Sequence, residues 1–217
     1  MCASVYSEIW FGARRVYKKV DRSRSSSSLL ESLVDPASVL VSCELVGGLS
    51  SGTCKPYLNI GGQVARIGLA FGMKIIAWSQ NMTSEVAEAA GATMVSKDEL
   101  FRQADIVTIH LILSARTKGL VGAAELALMK PTSRLINTSR GPIVDEASLI
   151  KALQSRAIAG AAIDVFEEEP LAAQHPFRSM DNVIATPHIG YVSEDLYRTF
   201  YGDTVANITA WLNKQSG

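Results

Sequence analysis

Three polar side chains in the second half of this chain could together carry out one reaction. Arg140 lies in NTSRGPIVDE, Glu169 in DVFEEEP and His188 in ATPHIG. An arginine can hold a carboxylate bidentately, and a histidine titrates in the range where it can protonate a carbonyl oxygen. A carboxylate beside the histidine orients the ring and favours its protonated form. Besides a hydride, these are the groups that the reduction of a 2-oxo acid requires.

Taken singly, each of these residues has a simpler explanation. An arginine in a turn is usually a surface charge, and a glutamate in a run of three is usually solvated. A histidine after a proline often only closes a loop. The hypothesis of a site therefore depends on whether the elements of the fold bring the three residues to one place.

The elements that could do so alternate regularly from Gly61 onward. Val64, Ile67, Gly68 and Phe71 recur at helical spacing. Thr83 is a plausible cap for a second helix, and Ser96 with Glu99 forms a capping box for a third. Further helices are predicted at Ala123–Met129, Glu146–Ser155 and Ser193–Leu212, and strands at Lys74–Ala77, Thr93–Val95, Ile106–His110, Arg134–Asn137, Ala159–Asp164 and Val183–Ala185.

Alternation of short apolar strands with helices indicates βαβ crossovers. The sequence therefore predicts an α/β fold, a doubly wound parallel sheet of the Rossmann type. Ligands of such sheets bind outside the carboxyl ends of the strands. The residues at those predicted ends are Ser79, His110, Thr138, Asp164 and Pro187, and Arg140, Glu169 and His188 are expected to project from the same edge.

Four segments, in order, resemble the D-isomer-specific 2-hydroxyacid dehydrogenase family. They are IVTIHLILSARTKGLVG, LINTSRGPIVDEASLIKAL, IAGAAIDVFEEEP and HPFRSMDNVIATPHIGY, and the similarity extends from about Gly61 to Trp211. The resemblance implies a nucleotide-binding domain and hydride transfer between nicotinamide and a 2-hydroxy or 2-oxo acid. It also implies a homodimer formed through that domain.

The same resemblance implies a role for each matching residue. Arg140 would bind the substrate carboxylate and carbonyl, Glu169 would be the partner of the histidine, and His188 would be the acid/base. The residues implied to bind the cofactor, NAD or NADP, are Gly61, Ser79, His110, Leu111, Thr138 and Asp164, with Asp164 on the nicotinamide carboxamide. His175 also matches, and a structural role is expected for it.

The phosphate-binding loop departs from the expected GxGxxG pattern. The residues before the first helix are KPYLNIGG, which place Pro56 and Leu58 at the first two glycine positions when Gly61 is the third. Proline has no N–H to donate, and a leucine side chain would occupy the place of a phosphate. The segment SSGTC before this loop is not a convincing strand, and an upstream strand is possible in SVLVSCELV, residues 38–46. The glycines that follow it, Gly47, Gly48 and Gly52, are expected to form an ordinary loop.

The residue that would contact the adenosine ribose is Ser79, followed by Gln80 and Asn81. An acid at this position accepts hydrogen bonds from the ribose and favours NAD. A neutral residue removes the repulsion against a 2′-phosphate, but no arginine lies beside it in the sequence. The choice between NAD and NADP therefore stays open.

Composition narrows the remaining classes of function. Of 217 residues, 21 are Lys or Arg and 21 are Asp or Glu, so no global charge favours nucleic acid or an anionic membrane. No apolar run approaches the roughly 20 residues of a membrane span. Three cysteines without a CxxC pair indicate reduced thiols and a cytoplasmic protein, with no metal site.

The first part of the chain differs from the rest. Six basic residues between Arg14 and Arg24 precede Ser25–Ser28, a composition typical of a transit peptide or of a solvated leader. We expect residues 1–50 to be an unassigned, disordered segment and residues 51–217 to form the Rossmann-like domain. The family's N-terminal substrate domain is not recognisable, which indicates an altered or truncated N-terminus. The alternative function is a catalytically inactive remnant that serves as a dimerisation or binding module.

Overall fold

The computed structural model describes residues 38–43 and 60–215, with the side chains described from residue 60 onward. Within these ranges a parallel sheet of seven strands has the order β3-β2-β1-β4-β5-β6-β7. The strands are β1 Ser38–Cys43, β2 Lys74–Trp78, β3 Thr93–Met94, β4 Ile106–His110, β5 Arg134–Asn137, β6 Gly160–Ile163 and β7 Val183–Ala185. The helices are α1 Ile60–Ala70, α2 Ser84–Ala89, α3 Lys97–Gln103, α4 Ala123–Leu128, α5 Glu146–Gln154 and α6 Glu194–Gln215. This order confirms the predicted Rossmann-type fold.

The first strand of the sheet lies further upstream than the phosphate-loop alignment required. Strand β1, Ser38–Cys43, pairs in parallel with β2 on one side and with β4 on the other. It falls in SVLVSCELV, and it belongs to the segment 1–50 that the sequence left unassigned. The segment SSGTC, the three glycines at 47, 48 and 52, and Pro56 and Leu58 all lie outside the described residues.

The core is divided between the two faces of the sheet. On β2, Ile76 joins the larger cluster, which contains Leu100, Leu135 and Leu153. Its neighbours Ile75 and Ala77 join the smaller cluster with Val64 of α1 and Ala87 of α2. This alternation follows from the two-residue period of a strand, which directs successive side chains to opposite faces of the sheet.

Local sequence explains where several helices begin and end. The Ser96 hydroxyl accepts a hydrogen bond from the Glu99 amide, and the Glu99 carboxylate accepts one from the Ser96 amide, so the predicted capping box is confirmed. The Thr83 hydroxyl caps α2 by accepting a hydrogen bond from the Val86 amide. Gly91 has φ +74° after α2, a conformation that favours glycine.

The last helix differs from the sequence-based expectation. Helix α6 extends to Gln215, three residues beyond the predicted end, and none of its residues is buried. Its exposed apolar side chains are Tyr197, Phe200, Tyr201, Val205, Ile208, Trp211 and Leu212. Among the helices of the described residues, none is long and apolar enough to cross a membrane.

Candidate active site

The carboxyl edge of β6 and β7 brings Glu169 and His188 into contact. The His188 Nδ1 atom lies 2.7 Å from Glu169 Oε2, and about a third of each side chain is exposed. The other carboxylate oxygen, Oε1, accepts a hydrogen bond of 3.0 Å from the Phe166 amide. With both oxygens engaged, the carboxylate has a fixed orientation toward the imidazole.

The environment keeps Glu169 ionised. Burial raises the pKa of Glu169, but hydrogen bonds from His188 and the Phe166 amide, together with the charges of His188 and Arg140, bring the pKa below its ordinary value. An ionised carboxylate can only accept, so the proton between the two residues belongs to His188 Nδ1. The remaining ring nitrogen, Nε2, is then the atom that can exchange a proton with a ligand.

Arg140 reaches the same edge from the end of β5. Its side chain is exposed, and its Nη1 atom donates to the Ser139 carbonyl oxygen at 2.6 Å. The Asn137 side chain donates through Nδ2 to the Arg140 carbonyl oxygen at 3.0 Å, and the Ser139 hydroxyl donates to the Ile109 carbonyl oxygen at 2.8 Å. These bonds hold the turn after β5 against the end of β4, and they leave most of the guanidinium donors available.

Asp164 lies at the end of β6 and organises the segment that carries His188. It is only 2% exposed, and its carboxylate accepts hydrogen bonds from the Thr186 hydroxyl and from the Ile189 and Gly190 amides. The sequence indicated only a contact between Asp164 and the cofactor. Its role in holding residues 186–190 was missed, although the paired polar residues Asp164 and Thr186 follow adjacent strands.

His188 itself has an unusual backbone conformation. Its φ angle is +54°, in the left-handed region that non-glycine residues seldom adopt, and its amide donates to the Thr186 carbonyl oxygen at 3.0 Å. Such a conformation costs of the order of 1 kcal/mol or more and persists where the surroundings impose it. Here the bonds from Asp164 to the residues on both sides of His188 impose it.

Four of the residues expected to bind the cofactor lie in the first turn of α1 and directly after β2, β4 and β5. Gly61 is buried in the first turn of α1, Leu111 is buried directly after β4, and Thr138 is half-buried after β5. Ser79 is 3% exposed, and within the described residues its hydroxyl has no hydrogen-bond partner.

The loop after β4 contains two further residues of this end that the sequence did not single out. Thr117 is buried, and its hydroxyl donates to the Ile112 carbonyl oxygen at 2.7 Å and accepts from the Ser114 amide at 2.8 Å. Arg116 lines a small cavity together with Ser79 and Gln80. An arginine therefore lies near Ser79 in space, although none lies beside it in the sequence.

His110 ends β4 in a setting that disfavours its charged form. Its Nε2 atom lies 3.0 Å from the Thr108 hydroxyl, and burial lowers the pKa of His110 to about 4. The His110 imidazole is therefore neutral at pH 7.

His175 pairs with a different carboxylate from the one that His188 contacts. Its Nε2 atom lies 3.0 Å from Glu146 Oε1, and its Nδ1 atom accepts from the Phe177 amide at the start of the short helix Pro176–Arg178. These contacts fit the structural role that the sequence predicts for it.

The neutral state of His110 predicts a pH-dependent stability. Between pH 6.5 and pH 4 the unfolded chain binds a proton that folded His110 excludes, so the free energy of unfolding falls as the pH falls through this window. When the pH is lowered from 7 to 5, the free energy of unfolding of His110→Gln, measured with urea, should fall by about 1–2 kcal/mol less than that of the parent chain. Between pH 7 and pH 8 the two should respond alike; identical responses below pH 6.5 would contradict the assignment.

Close packing at Gly141 predicts a second effect on stability. A Cβ atom at Gly141 would lie 1.9 Å from the Phe166 carbonyl oxygen, so Gly141→Ala must displace the backbone that orients Glu169. We expect the free energy of unfolding, measured with urea, to fall by about 2 kcal/mol or more. The matched control is Gly202→Ala in α6, where nothing lies within 4 Å of the added atom and stability should stay the same or rise slightly. Equal stability of both variants would show that the turn is not tightly packed.

Comparison with known proteins agrees with this geometry. Residues 58–190 match the family model described as D-isomer specific 2-hydroxyacid dehydrogenase, NAD binding domain. The glyoxylate reductase of Aeropyrum pernix is 50% identical over 130 residues, which are 60% of this chain and 39% of that protein. The chain thus spans less than half the length of this curated relative.

Solved structures give the same result. The D-lactate dehydrogenase of Aquifex aeolicus, complexed with NAD and lactic acid, has a TM-score of 0.71 at 25% identity, over 98% of this chain and 66% of that one. A D-isomer specific 2-hydroxyacid dehydrogenase of Xanthobacter autotrophicus Py2, in complex with NADPH and MES, has a TM-score of 0.59 at 32% identity. The match covers 72% of this chain and 45% of that one. Because the family model matches residues 58–190, more than half of the chain, this chain belongs to the D-isomer specific 2-hydroxyacid dehydrogenase family, within its NAD-binding domain.

Proposed function

We propose that this chain provides the nucleotide-binding and acid/base part of an NAD- or NADP-dependent oxidoreductase that interconverts 2-hydroxy and 2-oxo acids. The observation that carries the proposal is the 2.7 Å contact between His188 Nδ1 and Glu169 Oε2, at the same strand edge as Arg140. A histidine fixed by an ionised carboxylate is a proton donor of defined direction. A nearby arginine supplies the cation that an α-keto carboxylate needs.

Each residue has one role in the proposed reaction. Arg140 binds the substrate carboxylate and so places the carbonyl oxygen near His188 Nε2. When bound, reduced nicotinamide supplies the hydride that reaches the carbonyl carbon. The His188 imidazolium gives its proton to the carbonyl oxygen, which forms the hydroxyl group and leaves a neutral ring. Glu169 keeps the ring oriented and stabilises the charged form before the transfer. The reverse reaction takes the proton back.

The described residues fit a dinucleotide at the carboxyl edge of the sheet. The buried Ser79 hydroxyl is a hydrogen-bonding group without a partner in the described part of the chain, as expected for a residue that meets a ligand. Backbone amides at the start of α1, where Gly61 lies, can face the phosphates. His110, Leu111 and Thr138 would line the cleft between these two ends. Asp164 would meet the nicotinamide carboxamide with the acceptor capacity that its three hydrogen bonds leave.

The substrates that best suit this arrangement are small 2-oxo acids. One arginine and one histidine can recognise the carboxylate and the carbonyl that all such acids share, so we propose glyoxylate and hydroxypyruvate as the first to test. The relative from Aeropyrum pernix is a glyoxylate reductase.

The roles of the three residues predict distinct kinetic effects. In an assay of nicotinamide absorbance with glyoxylate, His188→Gln should lower kcat by about 100-fold or more, because proton transfer is lost. Glu169→Gln should also lower kcat, and Arg140→Gln should mainly raise KM for the acid. The matched control is His175→Gln, which removes the other imidazole–carboxylate contact and should leave kcat within about twofold.

Two outcomes would contradict the proposed function. Activity in His188→Gln equal to that of the parent chain would remove His188 from the reaction. A folded chain that binds neither NADH nor NADPH in a calorimetric titration would be a dehydrogenase by descent only, which is the inactive-remnant alternative.

We also propose that the chain forms a homodimer and acts in the cytoplasm. The dimer is supported by the exposed apolar side chains of α6, because none of the residues of this helix is buried within the chain. In analytical ultracentrifugation, the mass should be twice 23.3 kDa at micromolar concentration. Replacing Tyr201 and Trp211 by serine should shift the mass toward the monomer, whereas Ile112→Ser, an exposed apolar residue elsewhere, should not. A monomeric parent chain would contradict the dimer.

A further inference from the structure

The hydrogen bond to Glu169 fixes one atom of the His188 imidazole, but it does not fix the plane of the ring. The bond joins Nδ1 to Glu169 Oε2 at 2.7 Å, and the side chain of His188 is 37% exposed, so the protein core does not hold the ring. The second torsion angle of a histidine is broad, and a hydrogen bond tolerates a range of angles. Because Nε2 lies on the other side of the ring from the Cβ–Nδ1 edge, a tilt of the plane displaces Nε2.

Tyr191 supplies a second contact to the same ring. The ring centroids of His188 and Tyr191 are 6.2 Å apart, and the ring planes meet at 81°. Aromatic side chains prefer such edge-to-face arrangements at centroid distances of roughly 4.5–7 Å. Since the two planes are nearly perpendicular, this contact restricts the tilt that the hydrogen bond to Glu169 leaves free.

The backbone around Tyr191 is held in place. The Ile189 and Gly190 amides, directly before it, both donate to the Asp164 carboxylate. The Val192 amide, directly after it, donates to the Ile189 carbonyl oxygen at 2.9 Å and closes a tight turn with Tyr191 in the middle. The side chain of Tyr191 therefore starts from a fixed point beside His188.

Burial does not explain the position of the Tyr191 ring. The residue is 52% exposed, so half of an aromatic side chain remains in water at the edge that carries His188. Exposed aromatic residues that lie singly on a surface need no explanation. Tyr191, however, leans on the one imidazole that is proposed to transfer a proton, and it does so from a turn that Asp164 holds.

We propose that Tyr191 is a positioning residue, whose ring holds the plane of the His188 imidazole so that Nε2 points at the carbonyl oxygen of the 2-oxo acid. This inference rests on the proposed dehydrogenase function. Glu169 determines which nitrogen faces the substrate, and Tyr191 determines the direction in which that nitrogen points. Proton transfer requires both distance and alignment, so the loss of the Tyr191 ring lowers the rate of the reaction rather than the affinity for the acid.

Kinetic measurements with glyoxylate test this role. Tyr191→Leu should lower kcat about fivefold or more and leave KM within about twofold. Tyr191→Phe keeps the ring and should restore kcat to within about twofold of the parent chain. The matched control is Tyr197→Leu, a half-exposed tyrosine of α6 whose ring contacts that of Tyr201 at 5.7 Å, and it should leave kcat unchanged. Thermal melting of each variant checks that it is folded.

NMR spectroscopy tests the orientation of the ring without any catalytic step. The chain has three histidines, so single variants assign each imidazole signal. The His188 Nδ1 proton, in its hydrogen bond to Glu169, should give a resonance protected from exchange with water in the parent chain and in Tyr191→Phe. In Tyr191→Leu that resonance should broaden or disappear, because a tilting ring weakens the bond. The Nε2 proton of His175, bonded to Glu146, is the internal control and should not change.

The possible failures are distinguishable. An unchanged kcat in Tyr191→Leu, an equal loss in Tyr191→Leu and Tyr191→Phe, or a rise in KM alone would overturn the positioning role and leave the proposed dehydrogenase function intact. An unchanged His188 Nδ1 resonance in Tyr191→Leu would also overturn it. A folded parent chain without activity would overturn the proposed function, whereas the NMR comparison would still decide whether Tyr191 holds the ring.

Discussion

The hydrogen bonds to the Asp164 carboxylate are the interaction on which the geometry of the edge with Glu169 and His188 depends. A carboxylate that is 2% exposed loses most of its hydration, and this is tolerable only when donors replace the lost water. Thr186, Ile189 and Gly190 supply three such donors. Because these residues surround His188 in the sequence, the requirement to satisfy one buried charge also fixes the segment that holds the imidazole. The left-handed backbone of His188 follows from the same constraint.

Two further contacts extend this constraint to the other proposed catalytic residues. The Phe166 amide, two residues beyond Asp164, donates a hydrogen bond to the Glu169 carboxylate. The loop after β6 therefore folds back on itself. The turn at Gly141 packs against the same Phe166 backbone, which connects the position of Arg140 to that of Glu169. Three strands thus deliver three side chains to one place, although the residues are far apart in the sequence.

Sequence alone predicted the elements of the fold well where local rules decide. The parallel alternation, the capping box at Ser96 and the strand Ile106–His110 follow from periodicity and hydrogen-bonding chemistry. The pairing of Glu169 with His188 was predicted by the resemblance and by the strand-end rule. Those rules carry no information on which backbone amide satisfies which carboxylate, so the roles of Asp164 and Thr186 were missed. Arg116 was missed for a similar reason: its proximity to Ser79 depends on the pairing of β1 between β2 and β4, which brings distant loops together.

The sheet also separates two tasks that a dehydrogenase must perform. Proton transfer and carboxylate binding are proposed for the ends of β5, β6 and β7, whereas adenosine binding is proposed for the ends of β1, β2 and β4. The departures at Pro56 and Leu58 concern only the second group, because they lie between β1 and α1. Each group is stabilised by its own hydrogen bonds, with Asp164 in one and Thr117 in the other. A change in the phosphate loop can therefore alter the affinity for a dinucleotide without disturbing the geometry of His188 and Glu169, which is why binding and catalysis have to be measured separately in this chain.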